Sequence, residues 1–269
     1  IALWGVSPQL QILSPTGAVK VTTTVPGTGM EWLGAELTRG GLLATTRRFP
    51  NGINLFGLDG LELATFDTPE VGGMGEVNVF ADGTLAVSDY QGGVQLYSEA
   101  GVHLGTLVAP SGMFGTFGGH VDDADTLWVC SASGIHRFAR DGTLLGAVAT
   151  GSFRAWDVDV PGDGTLWTTR SSISSIGRVV RFAEDGTELA SFTTGLTGWH
   201  YGIAVADDGT LLVSVWQQPA LWRFDQAGNP LGSVPLASAT VFVNVLGAPP
   251  PPVVPYCTAK TNSLGCRPA

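Results

Sequence analysis

The sequence is short of charge, of sulfur and of any long apolar run. Asp, Glu, Lys and Arg together make up 13 % of its 269 residues, and 13 Lys and Arg stand against 23 Asp and Glu. The net charge of −10 disfavours nucleic acid and anionic membranes as partners, since both are held by cationic side chains. No run of ~18 apolar residues exists, so no membrane-spanning helix is expected. No segment keeps a helical period of 3.6, which predicts very little helix. Gly-x-Ser-x-Gly, a glycine-rich phosphate loop and His-Glu-x-x-His are all missing, which removes the usual sequence marks of a serine hydrolase, a nucleotide enzyme or a zinc peptidase. The chain does not begin with Met and shows no signal-peptide pattern, as expected of a processed form or a fragment.

Only three cysteines are present. Cys130 follows Trp128-Val129 in an apolar run and reads as a buried thiol. Cys257 and Cys266 lie in the C-terminal tail, where no His accompanies them, so a disulfide is preferred to a metal site. That bridge would place the protein in an oxidising, extracytoplasmic compartment, as a secreted or cell-surface protein.

Glycine is plentiful, with 38 residues, and it is periodic. Turn glycines recur at Gly17, Gly60, Gly101, Gly142, Gly186 and Gly228, at intervals of 43, 41, 41, 44 and 42 residues. Just before each lies a strand ending in a bulky residue: Leu13, Phe56, Tyr97, Phe138, Phe182 and Phe224. Upstream stand further turns and strands, as in Asp82-Gly83-Thr84-Leu85, Asp163-Gly164-Thr165-Leu166-Trp167 and Asp208-Gly209-Thr210-Leu211. Asp-Gly pairs supply the positive φ that a short hairpin needs. Four short strands in about 42 residues is the pattern of a propeller blade. The expected fold is all-β, a six-bladed β-propeller of four-stranded blades over residues 1–247. The first blade lacks its innermost strand at the N-terminus, and residues 241–246 are expected to supply it by pairing with residues 1–6, closing the ring without a long free edge.

Residues 248–269 form a separate segment. Ala248-Pro249-Pro250-Pro251-Pro252-Val253-Val254-Pro255 is a stiff polyproline spacer. The cysteine-containing stretch after it resembles a linker of secreted multidomain bacterial proteins. Two readings stand: a tail knotted on the propeller, or a hinge to a further module.

The stretches Gly75-Glu76-Val77-Asn78-Val79-Phe80-Ala81-Asp82-Gly83-Thr84-Leu85 and Tyr201-Gly202-Ile203-Ala204-Val205-Ala206-Asp207-Asp208-Gly209-Thr210-Leu211 resemble NHL repeats. The resemblance covers nearly all of residues 1–247 and specifies fold more than activity. It implies distant similarity to the senescence-marker-protein/gluconolactonase propellers, the streptogramin lyases and an amidating-enzyme lyase. It also implies a binding platform, the commoner use of NHL modules.

The first strand of a blade lines the central channel. Aligned first strands put Asn244, Glu36, Asn78, His120, Asp159 and Ala204 at one level, and Phe242, Gly34, Glu76, Gly118, Asp157 and Gly202 at the level two residues earlier. Glu36, Asn78, His120, Asp159, Asn244, Glu76 and Asp157 therefore form a polar set around the axis. Oxygen ligands with one imidazole suit a divalent cation such as calcium, and the lactonase resemblance implies a channel metal held by Glu, Asn and Asp. A polar, water-filled channel, a structural ion and a catalytic metal all stay open. No cofactor is certain.

Loops entering the first strands share a rim with those joining second to third strands. Trp32, Phe117, Arg154, Trp156, Trp199, His200, Tyr201 and Trp216 fall there, with Arg47, Arg48 and Arg170. Such a rim is either a recognition surface for a protein, peptide or glycan or a set of plugs and wedges. Trp4, Trp128 and Trp167 share a second-strand position and are expected between blades. The aspartates of the opposite face, among them Asp122, Asp123, Asp163, Asp207 and Asp208, read as turn formers.

The function expected first is a secreted, non-catalytic propeller that binds a protein or glycan or assembles with itself. The alternatives are a metal-dependent lactonase-like or lyase-like enzyme using the channel, and a structural subunit of an extracellular assembly. The missing motifs lean against an enzyme.

Overall fold

A computed structural model of the chain describes residues 2–5, 9–14, 18–24, 34–47, 50–69, 71–107, 115–151, 154–171, 176–216, 218–236 and 240–244. Trp32, Arg48 and the tail with Cys257 and Cys266 lie outside them, as do the side chains of Trp4, Phe242 and Asn244. The described residues form strands and turns only, so no helix among them is long and apolar enough to cross a membrane.

The strands assemble into six four-stranded antiparallel sheets. Five take four consecutive strands each, and the sixth combines Ala2–Gly5, Gln9–Leu13 and Val19–Thr24 with Thr240–Asn244. There Ala2 pairs Asn244 and Leu3 pairs Val243. The fold is an all-β propeller with four-stranded antiparallel blades. The innermost strands Ala35–Leu37, Met74–Val79, Gly119–Val121, Ala155–Asp159, His200–Val205 and Thr240–Asn244 each contact their neighbours in that series.

Each repeat signal in the sequence has a structural cause. The bulky residue ending each third strand is buried: Leu13, Phe56, Tyr97, Phe138, Phe182 and Phe224 are all at most 3 % exposed. In every sheet the pairing of third with fourth strand slips at that residue. A bulge there bends the strand and increases its local twist. The turn glycine after it takes positive φ, for example 88° at Gly142. One turn lacks its glycine. Asp125 stands where other blades have Gly83 and Gly209, and has φ 60°. Its side chain accepts a bond from Ala81 N in the preceding blade at 2.6 Å, which helps hold a conformation that L-residues avoid.

The core is divided into wedges between sheets. One holds Trp128, Cys130 and Ile135 against Ala155, Val158 and Leu166. A second sets Trp167 and Val179 against Ile203, Leu211 and Val213, and a third joins Leu13 to Ala204, Leu212 and Leu221. Trp128 and Trp167 are each at most 1 % exposed. Arg137 lies 4.5 Å over the Trp128 ring and Arg181 5.4 Å over that of Trp167. Cys130 is a free, fully buried thiol, and burial pushes its pKa up.

Candidate functional site

The first strands face the axis with every second side chain, and three tiers result. The upper tier, where the chain enters these strands, is aromatic. Phe117 and Trp156 lie 4.6 Å apart, Trp156 meets Tyr201 edge-on at 4.7 Å, and Trp199 packs on Trp216 at 4.9 Å. Phe117, Trp156 and Tyr201 are at most 5 % exposed. Arg154 lies over both Phe117 and Trp156, at 4.9 and 5.2 Å. Aromatics on the expected recognition rim are therefore packed on one another. His200 does not reach the surface either. It is fully buried, with Nε2 2.7 Å from Thr194 Oγ1 and Nδ1 2.9 Å from Gly198 O, and burial lowers its pKa. Arg47 pairs with Asp67, and Arg170 lies 3.7 Å from Glu188.

The middle tier alternates large and absent side chains. Glu76 lies against Gly34, where an added Cβ would fall 2.2 Å from Glu76 Cγ. Asp157 lies against Gly118, where a Cβ would fall 2.3 Å from Asp157 Oδ1. Both acids are buried, and each accepts from the backbone of the following blade. Gly119 N donates to Glu76 Oε2 at 2.9 Å and Ile203 N to Asp157 Oδ2 at 2.9 Å. Val158 N also donates to Asp157 Oδ1, at 2.8 Å. Burial, and then the negative charge of Glu76, hold the Asp157 carboxyl well above the usual carboxylate range, against the pull of the Ile203 and Val158 N–H groups.

The lower tier faces a cavity of about 620 Å³. Glu36, Asn78, His120 and Asp159 all line it, so four residues from four separate repeats come together. His120 Nδ1 lies 3.1 Å from Asp159 Oδ1. The other oxygen of Asp159 accepts from Val205 N at 2.6 Å, which fixes the carboxylate behind the imidazole. Glu36 Oε1 accepts from Leu37 N at 2.9 Å. Burial pushes the Glu36 carboxyl up to about 7, with the Leu37 N–H and His120 opposing and the Asp159 charge adding to the rise. Asn78 is 2 % exposed, and its Nδ2 has no hydrogen-bond partner among the described residues.

The cavity opens among the turns joining first to second strands, the face opposite the aromatic cluster. Asp123, Pro161, Asp163, Asp207 and Gly209 line it there, with Gln226. The sequence reading had treated these aspartates as turn formers. The signal it passed over is doubling: Asp122-Asp123 and Asp207-Asp208 offer two carboxylates where a turn uses one.

Glu76 and Asp157 are not part of the cavity lining, so the seven-residue polar set divides between two tiers. Among the described residues no three His, Cys, Asp or Glu side chains converge as a metal cluster. Glu36 Oε1 and both oxygens of Asp159 face backbone N–H groups or His120.

No protein-family profile matches the chain, and no curated protein matches it by sequence. Solved structures do match. A virginiamycin B lyase from Staphylococcus aureus aligns with a TM-score of 0.61 at 16 % identity, over 78 % of this chain and 71 % of that one. A chain of a nidogen/laminin complex aligns at 0.72 and 12 %, over 90 % and 97 %. A gluconolactonase from Xanthomonas campestris aligns at 0.67 and 16 %, over 90 % of each. The shared property is the propeller fold. At these identities it carries over no activity.

Proposed function

We propose that the chain forms a closed six-bladed propeller whose channel is blind at its aromatic end, and that the protein binds a small polar molecule in the lower cavity and acts on it by acid–base chemistry. Closure is supported by the pairing of Ala2–Gly5 with Thr240–Asn244 and by apolar wedges between successive sheets, including the one that joins Leu13 to the last repeat. The observation that carries the functional reading is the meeting of Glu36, Asn78 and the His120–Asp159 pair in one cavity. A carboxyl near 7 and a carboxylate-oriented imidazole are the equipment of a general acid and a general base at neutral pH. Asp159 would hold the ring in place, His120 would take or give the proton, and Glu36 would supply or accept the second one. Lyase and gluconolactonase propellers among the structural neighbours suggest the substrates to try first: lactones and cyclic esters. The test is product formation from such a panel, followed by mass spectrometry, with His120→Gln and Glu36→Gln beside the parent. Turnover that both variants lose while keeping a cooperative melting transition supports the reading. Equal turnover in all three proteins overturns it.

A second reading, a protein-binding or self-assembling propeller, draws on the outer strands. Leu63, Leu104, Leu145, Leu189 and Leu231 occupy equivalent positions there and are 47–54 % exposed. A propeller chain of the nidogen/laminin complex shows the fold in such use. Secretion and a Cys257–Cys266 bridge remain part of both proposals, and peptide mapping under non-reducing conditions tests the bridge.

A further inference from the structure

Every sheet ends in a fourth strand whose outer side has no partner strand among the described residues. Such an edge offers N–H and C=O groups to any extended chain, and natural proteins blunt it with charged side chains or proline. Four edges here carry such a guard: Lys20 in Val19–Thr24, Glu62 in Glu62–Asp67, Glu188 in Glu188–Thr197 and Pro230 in Pro230–Pro235. A fifth, His103–Leu107, carries His103. The sixth, Leu144–Val148, reads Leu-Leu-Gly-Ala-Val and carries nothing of the kind. Leu144 and Leu145 are 44 and 48 % exposed, and Ala147 and Ala149 are exposed as well. A Cβ added to Gly146 would meet nothing within 4 Å, so the middle of the strand is open. From Thr143 to Phe153 the sequence holds no Asp, Glu, Lys, Arg or His.

Resting on the self-assembling reading above, we propose that Leu144–Val148 pairs antiparallel with the same strand of a second copy of this chain, joining two four-stranded sheets edge to edge. Two observations select a second copy as the occupant. In a protein of net charge −10, copies repel one another wherever acids meet, and a neutral edge lets them approach. The exposed row Leu145, Ala147, Ala149 is also complementary to itself. A two-fold axis at Ala147 sets Leu145 of each copy opposite Ala149 of the other, large against small, with Ala147 facing its own counterpart. Side chains directly opposite in an antiparallel pair are the ones that touch, and a two-fold contact uses the same patch on both copies. The strand is short, so the interface should bury less than about 1,200 Å² and hold in the micromolar range.

The test is sedimentation velocity of the full chain from micromolar to near-millimolar concentration, beside Leu145→Lys and, at the equivalent position of the His103–Leu107 edge, Leu104→Lys. Both leucines are about half exposed, so lysine keeps the fold. A reversible dimer is expected, with a dissociation constant at least about 10-fold weaker in Leu145→Lys and unchanged in Leu104→Lys. Ala147→Cys, made together with Cys257→Ser and Cys266→Ser, should cross-link to its own counterpart under mild oxidation, since directly opposite residues lie about 4.5–5.5 Å apart between Cα atoms, within disulfide reach. A parent that stays monomeric throughout overturns both this contact and the self-assembling reading, and leaves the protein-binding reading standing. A dimer weakened by Leu104→Lys and not by Leu145→Lys overturns this edge alone. A dimer equally tight in all three proteins, with no cross-link at Ala147→Cys, overturns the use of outer strands altogether.

Discussion

Glu76 and Asn78 lie two residues apart on one strand, and Asp157 and Asp159 two apart on another. Alternation turns all four toward the axis, yet the two tiers do different work. In the middle tier each acid is sealed between an aromatic layer and its neighbours, seated on a glycine and bonded to backbone of the next blade. In the lower tier Glu36 and Asp159 meet an open cavity, and a histidine stands beside Asp159. The contrast shows that carboxylates around a channel are staples where their oxygens are spent on backbone N–H groups, and a site where one oxygen faces a titratable partner and solvent.

The largest effect that would break this comparison comes from filling a middle-tier gap. Gly118→Ala puts a methyl group against Asp157 Oδ1 and Trp156 O, and should cost about 2–4 kcal/mol in urea unfolding. Asp157→Ala leaves the Ile203 and Val158 N–H groups unmet, and should cost about 2–4 kcal/mol, whereas Asp157→Asn keeps an acceptor and should cost much less. His120→Gln, on the lower tier, should change stability by no more than about 0.5 kcal/mol while abolishing turnover in the substrate panel. A loss of stability as large as that of Asp157→Ala would merge the two tiers into one structural set.

A further effect tests the comparison through pH. The Glu36 carboxyl is raised from 4.5 to about 7 in the folded protein, so between these values the folded state binds more protons than the unfolded one. Stability then falls as pH rises from about 4.5 to 7. Melting temperatures across that interval should decline in the parent and decline less in Glu36→Gln. Asp157, also raised, contributes a fall of the same sign that begins at its lower unfolded value and persists in Glu36→Gln, and Asp157→Asn should remove it. A flat profile for the parent would place Glu36 in water rather than in the cavity wall.

Much of the architecture was legible because each repeat states it again. The turn glycines and the bulky residues from Leu13 to Phe224 mark positions where backbone φ and the third-strand bulge leave little choice. The level shared by Glu36, Asn78, His120 and Asp159 followed from period-two alternation, and the structure brings those four residues to one cavity. What the sequence could not say is whether the rim aromatics are presented to solvent. That depends on whether Phe117, Trp156, Trp199, Tyr201 and Trp216, drawn from three blades, pack together or stand apart, and no local pattern encodes it. The difference between Asp122, which accepts from Thr126 N in its turn, and Asp123, which lines the cavity, was hidden for a related reason. Adjacent residues of one type diverge only once the turn has chosen which of them bonds its backbone.

The alternation of the middle tier also bears on how such a ring can change its size. Gly34, Glu76, Gly118, Asp157 and Gly202 follow one another blade by blade, small then large, with Phe242 next in the sequence. Around a closed circle that order is consistent only for an even number of units. An ancestor that gained or lost a single repeat would set two large side chains, or two glycines, next to each other at the seam, giving a clash or a void.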